Sequence, residues 1–252
     1  MSCFKLMGSN LADQSTLTAS SENLLFPKEN IQDHRRSKVF RSTSNSTTII
    51  FDLQESSSID TVFIVADKRS GFGISTATIE FNSTSDFAAP AYSIVVPFSE
   101  TFGVGYIEFA AISYRFARIV MTSTLGYCEL SKIYIGKSLD LVRTINFGWT
   151  FKDEEISKKQ RNRYNQLFVD VISRQKIINF SMKYVDKLDL DLINKLLDEV
   201  GETRPIYLIL GDSNMIADNR RFSGPLFLED IPTISNTNFN KYSFSMSLRE
   251  MT

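Results

Sequence analysis

In the run Thr48-Ile49-Ile50-Phe51-Asp52-Leu53, Ile49, Phe51 and Leu53 share one side of an extended chain and Thr48, Ile50 and Asp52 share the other. That period of two belongs to a strand with one buried face. Ile74 to Phe81 repeats the pattern, and between the two lies Ser58 to Ala66, apolar enough for burial on both faces. Further extended runs are Leu17 to Ala19, Ser93 to Pro97, Tyr106 to Phe109, Tyr114 to Met121 and Cys128 to Gly136. Polar turns separate them at Asn23 to Pro27, Lys28 to Ser37, Asp67 to Gly73 and Asn82 to Tyr92. About eight short strands at this spacing predict two packed antiparallel sheets.

Composition agrees with a buried β core. The 252 residues are 42% apolar and 12% aromatic, with 20 Phe and 9 Tyr against a single Trp. Aromatic and β-branched side chains favour pleated, half-buried surfaces. The formal net charge is -1, so no overall field selects nucleic acid or an anionic membrane. No apolar run approaches the roughly 18–20 residues of a membrane helix. Met1 to Asn10 lacks the apolar centre of a secretory signal. Cys3 and Cys128 make no disulfide framework, which suits a reducing cytosol, and Cys128 is expected to be a small core residue.

The texture changes near Leu139. Arg143, Ile145, Phe147, Trp149 and Phe151 alternate with polar residues, which predicts a strand. Lys152 to Arg163 (KDEEISKKQRNR) is a dense run of both signs and reads as a solvated loop or hairpin, or an arm that orders on docking. Tyr164 to Ile172 and Lys176 to Val185 read as strands, with a turn at Ser173 to Gln175. One helix follows. Asp189 or Asp191 caps it, Leu192, Ile193, Leu196, Leu197 and Val200 share a face, and Gly201 takes the left-handed position beyond its end. Ile206 to Leu210 and Tyr242 to Leu248 read as further strands. The predicted class is mainly β: an antiparallel sandwich over residues 1–137, then a small α+β domain with one main helix over 138–252.

The order of these elements resembles the discoidin-like, or galactose-binding-like, jelly roll. The matching residues are Ala19-Ser20-Ser21-Glu22, the Phe40-Arg41-Ser42 step and Ile50-Phe51-Asp52-Leu53 at the opening, with Ala117-Arg118-Ile119-Val120 and Cys128 to Ile135 at the close. The resemblance implies sugar binding at the loop edge, with Arg35, Arg36, Arg69, Phe72 and Tyr127 as candidate contacts. It also implies a structural calcium near Asp33 and Glu129, against which stands the plainer reading of a turn residue and a surface acid. No cofactor is otherwise expected, since one His and two distant Cys cannot build a zinc site.

Leu210-Gly211-Asp212-Ser213-Asn214 resembles the nucleophile block of SGNH-type hydrolases. That chemistry needs a base for the serine proton, yet the single histidine is His34, in the first domain and far upstream. A turn after a strand accounts for the same residues, and the chain is read as non-enzymatic.

Asn10 to Leu53 together with the looser NFGWTF, RNRYNQLFVDV and LGD segments resembles a recurring tailed-bacteriophage tail protein. This resemblance implies a virion component, an adaptor or baseplate subunit assembled in the host cytoplasm. It would join other tail proteins, with copies in a homo-oligomeric ring, without nucleic acid or a membrane span. A carbohydrate-binding module for host attachment is the alternative.

Overall fold

The computed structural model describes residues 2–35, 37–66, 73–99, 103–212 and 222–250. The chain forms two compact units, one of residues 1–140 with 207–224 and one of residues 141–206 with 225–252. The sequence draws a single boundary at 137/138. In the fold the division after Asp140 is followed by a return of 207–224 to the first unit.

The first unit contains β1 (Ser2–Met7), β2 (Thr16–Ala19), β3 (Phe40–Arg41), β4 (Ser46–Val65), β5 (Thr76–Asn82), β6 (Tyr92–Val95), β7 (Phe98–Ser99), β8 (Val104–Thr122), β9 (Glu129–Leu130) and β10 (Lys132–Gly136). Its main sheet is antiparallel, in the order β10-β4-β8-β5-β6, with β2 added to β4 and β7 to β8. β4 and β8 are long because each carries two of the predicted strands. β4 runs through Gln54 (φ 71°) and shifts register against β8 between Asp52 and Ser57 and again between Ile59 and Thr61. Such shifts bend paired strands. One half of the sheet, β2 with the start of β4, the end of β8 and β5, therefore shares a core with the other half, β10 and the end of β4. Ile49, Phe51, Ile79, Phe81, Ala117 and Ile119 pack in one cluster with Val62, Ile64, Ile133 and Ile135, all fully buried. This is a mainly β, antiparallel sandwich.

The end of β4 is buried on both faces, as its unbroken apolar run requires. While Val62 and Ile64 join that core, Phe63 and Val65 turn the other way, into a second cluster with Met7, Val104, Tyr134, Tyr207 and Ile209. Tyr207 and Ile209 belong to a strand far along the chain, β13 (Ile206–Asp212), which pairs antiparallel with β1 from Met7↔Tyr207 to Ser2↔Asp212. Burial of this second face gives a physical reason for the return of the chain to the first unit. Asn10 locks the arrangement. Its Nδ2 donates to the Tyr207 hydroxyl (3.1 Å) and the Ile133 carbonyl (2.9 Å), while its Oδ1 accepts from the Ala12 and Ile135 amides. The surrounding burial drives the Tyr207 phenol well above its ordinary pKa.

The second unit holds β11 (Thr150–Arg161), β12 (Leu167–Val185), α1 (Lys187–Val200), β14 (Gly224–Leu228), β15 (Ser235–Asn238) and β16 (Lys241–Arg249). β16 lies between β12 and β14 and also pairs with β15, while β12 continues to β11 at the sheet's edge. Here the structure departs from the sequence pattern at several points. Of the forms expected for the charge run, the hairpin is the one found: the run is β11, paired antiparallel with β12. Ser173 to Gln175 is not a turn, since β12 passes straight through it, and the hairpin turn lies at Asn162 to Gln166. Glu155 opposite Arg174 and Lys158 opposite Asp170 explain how so charged a strand pairs. The strand expected from Arg143 begins only at Thr150, after Gly148 takes φ 98°, and Phe147 is fully exposed.

Helix α1 is present, and Gly201 closes it at φ 56° with its N–H on the Leu197 carbonyl. Its N-cap is Asp186 rather than Asp189 or Asp191, and Leu190 rather than Leu192 completes the buried face. Asp189 is buried for a different purpose. Its two carboxylate oxygens accept the amides of Val142 (3.1 Å) and Arg143 (2.9 Å), tying the strand-free segment before β11 to the helix.

Candidate functional site: the loop edge of the sandwich

The site is built on the two-residue ladder of β3 and β9. Phe40 opposes Leu130 and Arg41 opposes Glu129, so the register places the Arg41 and Glu129 side chains on one face. Phe40 and Leu130 are buried and anchor the ladder in the core. On the other face, Arg41 Nε and Nη2 both donate to Glu129 Oε2, at 2.8 and 2.6 Å. Glu129 is 1% exposed, so it is not the surface acid of the plainer reading. A carboxylate so deep requires a charged partner, which Arg41 supplies.

The Arg41 guanidinium is also held between two rings. Its centre lies 4.4 Å from the Phe26 centroid and 4.4 Å from the Tyr127 centroid. Backbone bonds fix the first ring, since the Arg41 amide donates to the Phe26 carbonyl (3.0 Å) and the Asn23 amide to the Arg41 carbonyl (2.9 Å). The second ring precedes Cys128, whose amide donates to Ser42 Oγ at 2.7 Å. Cys128 is buried as expected, and burial pushes its thiol pKa up, so it belongs to the scaffold. Gly73 abuts the same place from beneath. Its carbonyl accepts the Glu129 amide, and a Cβ there would stand 2.6 Å from the Glu129 nitrogen.

Beside this stack, the Asn23–Phe26 turn lifts two large apolar side chains into solvent, Leu24 at 92% and Leu25 at 82% exposure. The Leu25 amide donates to Asn23 Oδ1, which shapes the turn. The edge therefore offers flat ring surface, a planar cation with fixed donors and a short apolar tip. Arg41 is about a quarter exposed, and its Nη1 has no protein acceptor among the described residues.

Of the candidates read from sequence, Tyr127 lies in this stack. Arg35 is engaged within its own turn, where Nε and Nη2 grip both oxygens of Asp33 at 3.0 and 2.7 Å. That guanidinium holds the Asp33 carboxyl down at a pKa of about 2. Arg36, Arg69, Phe72 and Ser213 lie outside the described residues. His34 places Nδ1 4.0 Å from Asp13 in the polar turn. The two carboxylates implied for calcium, Asp33 and Glu129, each already face a guanidinium, and no group of three or more His, Cys, Asp or Glu suited to a metal occurs among the described residues. Calcium takes about six to eight oxygens, backbone carbonyls among them, and these two carboxylates alone do not supply that set. No local pattern singles out Phe26 or Arg41, although Phe40-Arg41 and Glu129-Leu130 are among the steps that carry the discoidin-like resemblance.

No family model matches the chain, and no curated protein matches it. Among solved structures, the chain is similar to chitosan-binding module 1 of a chitosanase/glucanase from Paenibacillus sp. IK-5, at 22% identity over 51% of this chain and 99% of that one, with a TM-score of 0.42. It is similar to a family 32 carbohydrate-binding module of Clostridium perfringens in complex with galactose, at 13% identity, 51% and 98% coverage and a TM-score of 0.44. A Streptococcus pneumoniae fucose binding module matches at 13% identity, 51% and 95% coverage and a TM-score of 0.45.

Proposed function

We propose that the first unit is a carbohydrate-binding module whose contact surface is the loop edge formed by Phe26, Arg41 and Tyr127, with Leu24 and Leu25 at its rim. The observation that carries the reading is the Arg41 guanidinium held between two rings and backed by a buried carboxylate. Sugars present an apolar C–H face and a fringe of hydroxyls. A ring face takes the first and a fixed guanidinium donates to the second. Because the buried Glu129 sets the guanidinium in place before any ligand arrives, little ordering cost remains at binding. The role is recognition without bond chemistry. Isothermal titration of the intact chain with galactose, fucose and chitosan oligomers tests it, with Tyr127→Ala as the site variant. Saturable binding to one sugar class that Tyr127→Ala weakens at least tenfold supports the module. Equal binding by the variant moves the site elsewhere, and absence of binding across the panel removes the reading.

A second reading is a connecting subunit of a virion tail. Its support is the sequence resemblance and the outer half of the β11–β12 hairpin, where Tyr164, Leu167, Phe168, Val169, Val171 and Ile172 are about half or more exposed. An arm with this much apolar surface suits contact with another protein. The two readings are compatible, since a sugar-binding sandwich and an assembly arm occupy different units.

A further inference from the structure

We infer that the edge strand β11 is a self-complementary docking surface on which a second copy of this chain pairs antiparallel about a two-fold axis at Ile156. The inference deepens the assembly reading of the hairpin and is independent of sugar binding. β11 ends its sheet and pairs with β12 alone among the described strands. Its outward edge is regular, because the one irregularity of the hairpin, between Ile156 and Ser157, puts the extra residue, Ile172, in β12. A regular edge strand presents backbone donors and acceptors to a newcomer.

The charges decide which newcomer fits. Charged side chains on an edge strand normally repel pairing. Here the sign changes at mid-strand: Asp153, Glu154 and Glu155 precede Ile156, and Lys158, Lys159 and Arg161 follow it. In an antiparallel ladder, residues whose N–H and C=O face the partner recur at every second position and oppose one another. A two-fold pairing of β11 with itself is therefore centred on a residue, never between two. Centred on Ile156, it sets Asp153 against Lys159, Glu154 against Lys158, Glu155 against Ser157 and Lys152 against Gln160, each pair occurring twice by symmetry. Ile156, which is 38% exposed, meets its own copy. No like charges oppose. Centring on Ser157 instead also sets Glu155 against Lys159 and Asp153 against Arg161, but it leaves Glu154 facing Gln160, places Ile156 beside Lys158 and loses the apolar centre. A parallel pairing in register stacks like on like. Such an isologous contact closes at two copies, so a ring would need a further, different surface.

Charge exchange on the full chain tests this. By sedimentation velocity the parent protein should be a dimer that dissociates as salt rises. D153K/E154K and K158E/K159E should each be monomeric, and their equimolar mixture should recover the dimer, because each exchanged half then meets its opposite. In a Cys3→Ser background, Ile156→Cys should form an intermolecular disulfide on mild oxidation, and Lys152→Cys should not. Circular dichroism confirms that each variant is folded. An oligomer unmoved by either exchange overturns the edge pairing while leaving an assembly role through another surface. A parent chain that is monomeric at every concentration, together with an Ile156→Cys variant that yields no cross-link, overturns both.

Discussion

At the residue scale, the pair that organises the loop edge is Arg41 with Glu129. Removing one partner of a buried pair strands the other charge, which costs far more than the pair contributes net. Arg41→Met should therefore destabilise the protein by about 3 kcal/mol in urea titration, and Arg41→Met with Glu129→Gln by clearly less. A cost equal in both would show that packing between the rings, not charge, is what is lost. Acid stability follows from Asp33. Its folded pKa of about 2, set first by the Arg35 hydrogen bonds, lies below the ordinary carboxylate value of about 3.9. A depressed pKa contributes stability that is present above the unfolded value and lost as pH falls through the folded one. Glu229, held down by Ser247 and Arg249, and Asp52, held down by Arg115, act in the same direction. The urea midpoint should thus fall as pH drops from about 4 to about 2, less steeply in Asp33→Asn and in high salt, because Asp33 is partly exposed and its partner Arg35 is mostly so. A midpoint flat over that range contradicts the assignment. At this scale the sequence is informative where a residue has one simple task. Cys128 and Gly201 read correctly because a small thiol in an apolar strand and a glycine after a helix have few alternatives. Arg41 could not be read, because its meaning lies in Phe26, Tyr127 and Glu129 together, two of them more than 80 positions away in the chain.

At the element scale, alternation located nearly every strand of the sandwich, since a half-buried strand writes its period directly into the sequence. The second unit was harder. β11 carries no apolar period because nearly all of its side chains are exposed or half-exposed, and such a strand is indistinguishable from a solvated loop. The converse holds at Arg143 to Trp149, where a strand-like alternation is cut by Gly148 and the segment is secured through Asp189 instead. Asp189→Ala should cost about 2 kcal/mol, since it leaves the Val142 and Arg143 amides without their acceptor. Hydrogen exchange at those two amides should rise with it, and unchanged exchange would show that water replaces the carboxylate without loss. Gly201→Ala should cost about 1 kcal/mol, the strain of an L-residue at φ 56°, read as a lower thermal midpoint of unfolding.

At the scale of the whole molecule, the class was legible and the partition was not. An antiparallel β-sandwich with one helix beyond it follows from spacing, turns and a single amphipathic segment. That β13 leaves the second unit's stretch of chain to cover Phe63, Val65 and Tyr134 depends on a pairing with β1 some 200 residues distant, which no local pattern records. The two proposed roles divide along the same line, recognition at the loop edge of the sandwich and assembly at the charged edge of the hairpin. The measurement that bears most directly on the first of these is calorimetric titration of the intact protein with galactose, fucose and chitosan oligomers, beside Tyr127→Ala. The account predicts saturable heat with one sugar class and its loss when the Tyr127 ring is removed from a folded protein. Identical titrations for the two proteins, or no heat with any of the sugars, would contradict it.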